Sequence, residues 1–295
     1  MSDPFATSAR WSAQLAAVAD ALGAASAYGA PSAGELPSRD VLRAVVETLR
    51  VALFAEQLGP GLLDAEARRA FVRTSIEGAL RSLVDQVSRE PDLAVDAAEL
   101  VMAFASKLPK IRATLETDLA AAVDGDPAAL STTEVLLCYP GFAAILHHRL
   151  AHELHRLGVP IVARTVAEIG HSTTAIDIHP GAVIGERFFI DHGTGVVIGE
   201  TSIVGRNVRI YQGVTLGARS FPTDASGHLI RGIARHPIVE DDVQIFAGAT
   251  VLGRVTLGRG AVIGGGVWLT SSVPAAARIL QAPSRANTFD DGAGI

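Results

Sequence analysis

The sequence predicts an α + β chain in two parts, an α-helical N-terminal domain followed by a parallel β-helix. Three observations carry that reading. Apolar residues recur at helical spacing up to about residue 170, a six-residue period replaces it from Ile178, and 19 of the 29 glycines fall after residue 174.

The helical part reads in order. Ser38 is placed to cap a helix with Val41, Leu42, Val45, Val46, Leu49, Leu53 and Phe54 on one face, ended by Gly59-Pro60-Gly61. Asp64 opens a second, with Phe71, Ile76, Leu80 and Leu83 at helical spacing, stopped before Pro91. Asp92 and Pro109 open two more, the latter running to the turn at Asp124-Gly125-Asp126-Pro127. Another begins near Thr133, bends at Pro140-Gly141 and continues through His148 and His152 to Gly158; a short one covers Ile161 to Ile169. Before residue 38 the Ala/Ser/Gly-rich stretch supports one weak helix and a linker.

In the second part large aliphatics stand at Ile178, Ile184, Ile190 and Val196, slip by two, and resume at Ile198, Val204, Ile210 and Leu216. They return at Val239, Ile245, Val251, Leu257, Ile263 and Leu269, each followed four residues later by a small or β-branched residue from Val243 to Val273. One buried aliphatic per six residues marks stacked triangular coils, each six-residue unit forming one flat face. A β-sandwich would alternate with period two. Gly185, Gly199, Gly205, Gly217, Gly258 and Gly264 follow the aliphatic directly and are expected to relieve the corners by adopting positive φ. The domains are therefore a poorly defined segment 1–37, a helical domain 38–174, a β-helix 175–275 with a loop extruded at 218–237, and a tail 276–295.

Composition narrows the function. A net charge of −6 without a Lys/Arg block argues against nucleic acid. The longest apolar run, Val135 to Leu146, is too short for a membrane span and is broken by Pro140 and Gly141. No basic, apolar leader opens the chain, and the single cysteine, Cys138, excludes a disulfide framework and is expected in the core. A cytoplasmic protein is expected. His148 and His152, four apart on a helix, suggest no third metal ligand and are expected on a solvated or interhelical face.

A solenoid core is inert, so chemistry belongs at its irregularities: Asp177-Ile178-His179-Pro180, Asp191-His192-Gly193-Thr194-Gly195, and the loop ending Arg235-His236-Pro237. With Glu200-Thr201, Gln212 to Gly217, Asp126-Pro127, Gly141-Phe142 and Arg149 to His152, these motifs resemble serine O-acetyltransferase over roughly residues 110–275. The resemblance implies a left-handed β-helix that assembles as a homotrimer or dimer of trimers, with active sites between neighbouring β-helices. It also implies transfer of acetyl from acetyl-CoA to L-serine, without a metal, as the first step of cysteine biosynthesis.

A serine hydroxyl needs a base with a pKa near neutrality, and His192 is the expected one, with Asp177 fixing its tautomer. By resemblance Asp126 and Asp191 face the substrate ammonium. Arg235 holds its carboxylate with a planar fork, and His236 donates to substrate or oxyanion. Gly217, Ala218, Ala247 and Gly265 match positions that admit the pantetheine arm. Phe246 stands where glycine is common, and Gln281 to Ser284 departs from the usual pattern. The acidic tail closed by Ile295 is similar to tails that enter the active site of O-acetylserine sulfhydrylase.

Other readings stay open. They are a hexapeptide acyltransferase acting on homoserine, a sugar or an antibiotic, a zinc β-helix of the γ-carbonic-anhydrase kind, for which this half offers only His179, His192, His228 and His236 without a His-x4-His pair, and an oligomeric scaffold whose tail docks a partner.

Overall fold

The computed structural model describes residues 9–23, 35–61, 64–91 and 93–282. The described residues divide between Leu36 and Pro37 into two compact units, the first containing α1 (Ala9–Gly23). The second holds α2 (Arg39–Leu53), α3 (Ala55–Leu58), α4 (Ala65–Val87), α5 (Ala97–Ala105), α6 (Leu108–Gly125), α7 (Thr132–Cys138), α8 (Pro140–Arg156) and α9 (Pro160–Thr174), followed by the strands.

Side-chain caps set the helix starts. The Ser38 hydroxyl accepts from the Val41 N–H at α2, and the Asp64 carboxylate accepts from Glu66 and Ala67 at α4. Asp92 lies outside the described residues; Asp96 caps α5. The start of α9 is capped from elsewhere: the buried Glu90 carboxylate accepts from the N–H groups of Ile161 and Val162, joining the end of α4 to α9. The helix expected to bend at Pro140 is two helices. Proline supplies no N–H and forces Tyr139 out of the helical region (φ −85°, ψ 116°), so α7 ends and α8 begins. Cys138, expected in the core, is exposed, because it occupies the solvent-facing side of the last turn of α7.

The strands form a left-handed parallel β-helix with three faces. The first stacks β1 (Asp177–Ile178), β4 (Val197–Ile198), β7 (Thr215–Gly217), β10 (Thr250–Leu252) and β13 (Trp268–Leu269). The second stacks β2 (Val183–Ile184), β5 (Ile203–Val204), β8 (Ile238–Val239) and β11 (Thr256–Leu257). The third stacks β3 (Phe189–Asp191), β6 (Arg209–Tyr211), β9 (Gln244–Ile245), β12 (Val262–Ile263) and β14 (Arg278–Ile279). In-register pairs such as Ile198↔Leu216 and Ile210↔Ile245 put the six-residue aliphatics in interior columns, every one of them buried.

The corner glycines correct an expectation. None of Gly185, Gly199, Gly205, Gly217, Gly258 and Gly264 has positive φ; left-handed residues stack coil on coil instead at two corners, Gly195, Gly213, Gly248 and Gly266 at one and Arg187, Asn207, Asp242, Gly260 and Ala276 at another. The glycines after each aliphatic are small because the next coil or loop lies against them: a Cβ on Gly185 would sit 2.6 Å from the Gly205 carbonyl oxygen.

One ion pair ties the helical part to the first coil. Arg149 on α8 grips the buried Asp118 on α6 with two hydrogen bonds of 2.7 and 2.9 Å, and donates to the carbonyls of Ile184 and Gly185. Asp118 also accepts from the Phe188 N–H.

Candidate active site

Two departures from the period flank the first face. Where β3 turns into β4, eight residues separate Ile190 from Ile198, against six from Ile210 to Leu216 and from Ile245 to Val251. The two extra residues build the corner 191–195. There His192 adopts a left-handed φ of 59°, and Gly193 packs so tightly that a Cβ would sit 2.4 Å from Ile176. A non-glycine residue at such φ costs about 1–2 kcal/mol, a strain met repeatedly at functional sites. The His192 side chain is 73% exposed, and its Nε2 is 3.8 Å from Asp191 Oδ1.

Around this corner the structure gathers several side chains. Asp191 is buried, and its other oxygen accepts from Arg209 at 2.6 Å. The Arg209 guanidinium lies over the rings of Phe189 and Tyr211. Asp126, the C-cap of α6, accepts from the Tyr139 hydroxyl at 2.6 Å and from the Ala128 N–H. Those bonds, with Arg209 and His192 nearby, hold its carboxyl below the usual range, while the Tyr139 hydroxyl is pushed up to about 12. Asp177 borders the same corner, since Gly195 donates to the Ala175 carbonyl and Gly193 packs on Ile176. Among the described residues no hydrogen bond joins its carboxylate to His192. Ala247 and Gly265 stack in later coils of this corner column, next to each other.

The other edge of the first face carries the second departure. In the third coil the turn from β7 to β8 is replaced by the loop 218–237, whose residues 219–232 are all exposed. Gly217 ends β7 and Ala218 begins this loop. Its end returns onto the corner after β4: the Thr201 hydroxyl accepts from the N–H groups of Arg235 and His236, and Arg254 donates to the carbonyls of Thr201 and His236. The Nδ1 of His236 receives the Thr201 N–H and hydroxyl, so its proton resides on Nε2. Burial, and then Arg235, lower the His236 pKa, keeping the ring neutral. Arg235 pairs with Glu200 at 2.7 Å. Burial pushes the Glu200 carboxyl up, but Arg235, His179 and His236 together hold it below the usual range.

The expected site residues thus divide between two edges. His192, Asp126, Asp191, Asp177, Ala247 and Gly265 lie at one, and Arg235, His236, Gly217 and Ala218 at the other. The intervening backbone from Gly195 to Gly199 spans about 13 Å at strand rise. Ile295 lies outside the described residues. Arg209, Tyr139 and Thr201 received no role from the sequence. For Arg209 a signal existed: the coil repeat pairs Phe189 with Arg209 and Asp191 with Tyr211, placing the guanidinium diagonally beside Asp191. No group of three His, Cys, Asp or Glu side chains able to hold a metal occurs among the described residues, and no helix there is long and apolar enough to cross a membrane.

Gly199 yields a sharp prediction. A Cβ there would sit 2.1 Å from His236 Cδ2 and 2.2 Å from its Nε2. Gly199→Ala is expected to displace the ring, losing at least about tenfold in turnover while thermal stability falls modestly. Steady-state kinetics checks it, and unchanged kinetics would detach His236 from the site.

A second prediction concerns acid. Burial lowers the pKa of His147, His148, His152, His179 and His236, His179 reaching about 4. The unfolded chain takes up protons near 6.5 that the folded chain refuses, so stability is full above 6.5 and declines as pH falls toward 4. The thermal midpoint, followed at half-unit pH intervals, should drop throughout that window; a flat profile would count against these buried rings.

Residues 55–146 match the N-terminal family of serine acetyltransferases, and residues 236–271 match the bacterial transferase hexapeptide family of six repeats. The chain is 52% identical to the plasmid serine acetyltransferase of Synechococcus elongatus over 275 residues, covering 88% of this chain and 86% of that one. The chain belongs to the serine acetyltransferase family. Among solved structures it superposes on Entamoeba histolytica serine acetyltransferase 1 in complex with L-cysteine, with a TM-score of 0.72 and 37% identity over 88% of this chain and 93% of that one. It also superposes on the Brucella abortus serine acetyltransferase in complex with coenzyme A, at 0.56 and 28% identity over 82% and 94%. Phe246, at a corner of the third coil, has a local partner: its ring stacks on Tyr211 with centroids 5.0 Å apart.

Proposed function

We propose that this chain is a serine O-acetyltransferase, moving acetyl from acetyl-CoA to the hydroxyl of L-serine in a ternary complex. The observation that carries this reading is that both departures of the solenoid from its period flank one face, and each presents an imidazole suited to one half of the reaction. His192, exposed beside Asp191, takes the hydroxyl proton as the serine oxygen attacks the thioester carbonyl. His236, neutral with its proton on Nε2, is a donor for the developing oxyanion. The CoA thiolate leaves and takes the proton from His192. Asp126 and Asp191 attract the substrate ammonium, and Arg235 its carboxylate. Asp177 steadies the His192 imidazolium once substrate tightens the corner, since catalytic hydrogen bonds are often formed only in the complex.

His192 and His236 stand on opposite edges of one face, and the outward positions Val183, Val197, Ile203 and Trp268 expose apolar side chains. Val197 and Trp268 lie on the first face and Val183 and Ile203 on the second, so two neighbouring β-helices would cover them and bring their own edges against this one; we take the working unit to be a homotrimer, alone or paired. The pantetheine arm would then run between neighbouring coils, past Ala247 and Gly265 of one and Gly217 and Ala218 of the other.

The deciding experiment is release of CoA thiol with a panel of acceptors. Release with L-serine is expected, with L-cysteine competing against serine. Release with a sugar or homoserine but none with serine would overturn the assignment.

A further inference from the structure

We propose that the cavity between α6, α8 and the first coil of the β-helix binds a tetrahedral oxyanion, phosphate or sulfate, either free or as the head of a small ester. The cavity measures about 220 Å³ and shares no lining residue with either active-site edge. Its walls include Lys107, Lys110, His148, His152 and Arg156.

Lys107 and Lys110 are the only lysines among 295 residues, and both line this one cavity. Lys107 is the N-cap of the 18-residue α6 and Lys110 lies in its first turn, which holds no acidic residue. Cations there oppose the helix dipole, whose positive end favours an anion. Neither lysine has an ion pair or side-chain hydrogen bond among the described residues. An anion seated at this end would offset two lysines and the helix terminus together. Of the nearby acids, Glu153 faces Arg156 at 3.7 Å, Asp118 is taken by Arg149, and the exposed Glu186 makes no ion pair with either lysine among the described residues.

A buried imidazole without a partner lines the same cavity. His148 is 2% exposed, yet its Nδ1 is buried without a partner and its Nε2 forms no hydrogen bond among the described residues. Its neighbour His152 is engaged, donating from Nδ1 to the Pro180 carbonyl. A buried imidazole left without hydrogen bonds is costly unless something else supplies one, and the cavity it lines is the route by which a ligand oxygen would reach it.

Calorimetric titration of the full chain with inorganic phosphate and with sulfate tests the proposal, at an ionic strength held constant with chloride. One saturable site per chain is expected, weakened about tenfold or more in the Lys107→Ala/Lys110→Ala variant, which loses two exposed side chains and retains basal acetyl transfer. Tighter binding of glycerol 3-phosphate than of phosphate would support the site and identify an ester as the natural occupant. Binding that is not saturable, or that is unchanged in the double variant, would overturn it, the second outcome placing the anion elsewhere on the chain.

Discussion

Replacing His192 by asparagine is expected to lower kcat by about 10²–10⁴-fold with little change in acetyl-CoA binding. Asparagine is chosen because it tolerates the left-handed φ of 59° that the corner imposes, so the backbone survives while the base is lost. His192→Ala should behave alike, since the side chain is largely exposed and holds no part of the fold together. Stopped assays of CoA thiol release, with acetyl-CoA affinity measured separately, check both. Turnover near the wild-type level in either variant would remove His192 as the base. Asp177→Asn should lower kcat to a level between wild type and these variants with KM for serine little changed, because a positioning carboxylate acts through the imidazole it steadies.

The reasons that the two edges differ in legibility are physical. The corner at 191–195 could be read because a solenoid advertises its own exceptions: aliphatics keep a strict period, and a slip of two residues shows at once. The interior columns from Ile178 to Leu269 were legible for the same reason. What the period does not encode is the direction of each corner. Gly199 looked like a turn glycine, but its φ is ordinary; it is small because His236 arrives from a loop 37 residues further along the chain. Thr201 and Tyr139 carry no periodic signature either. Their roles exist only once the loop end and the α7–α8 break fold back onto the coils. Cys138 failed similarly, since apolar character alone does not say which side of a seven-residue helix faces the core.

Arg149→Ala should cost about 3–5 kcal/mol of stability, the range for removing one partner of a buried ion pair. Asp118 is 2% exposed and would keep a carboxylate with only the Phe188 N–H to oppose its charge, while the carbonyls of Ile184 and Gly185 would lose their donor. Urea denaturation measures the effect, and a loss under about 1 kcal/mol would show that the pair is not what joins the two parts. A paired replacement, Asp118→Leu with Arg149→Met, should recover part of the loss, because the largest penalty is the uncompensated charge and not the missing attraction. The consequence reaches the chemistry. Asp126 ends the same helix that bears Asp118, whereas Asp191 and His192 end the coil that Arg149 grips. Loosening the clamp lets the α6 terminus drift relative to the corner, so KM for serine should rise before kcat falls. A variant that lost stability with an unchanged KM would show that the remaining ties of the α6 terminus, the Arg187–Asp124 pair, the packing of Gly125 on Phe189 and the Tyr139 hydrogen bond, hold Asp126 in place without the clamp.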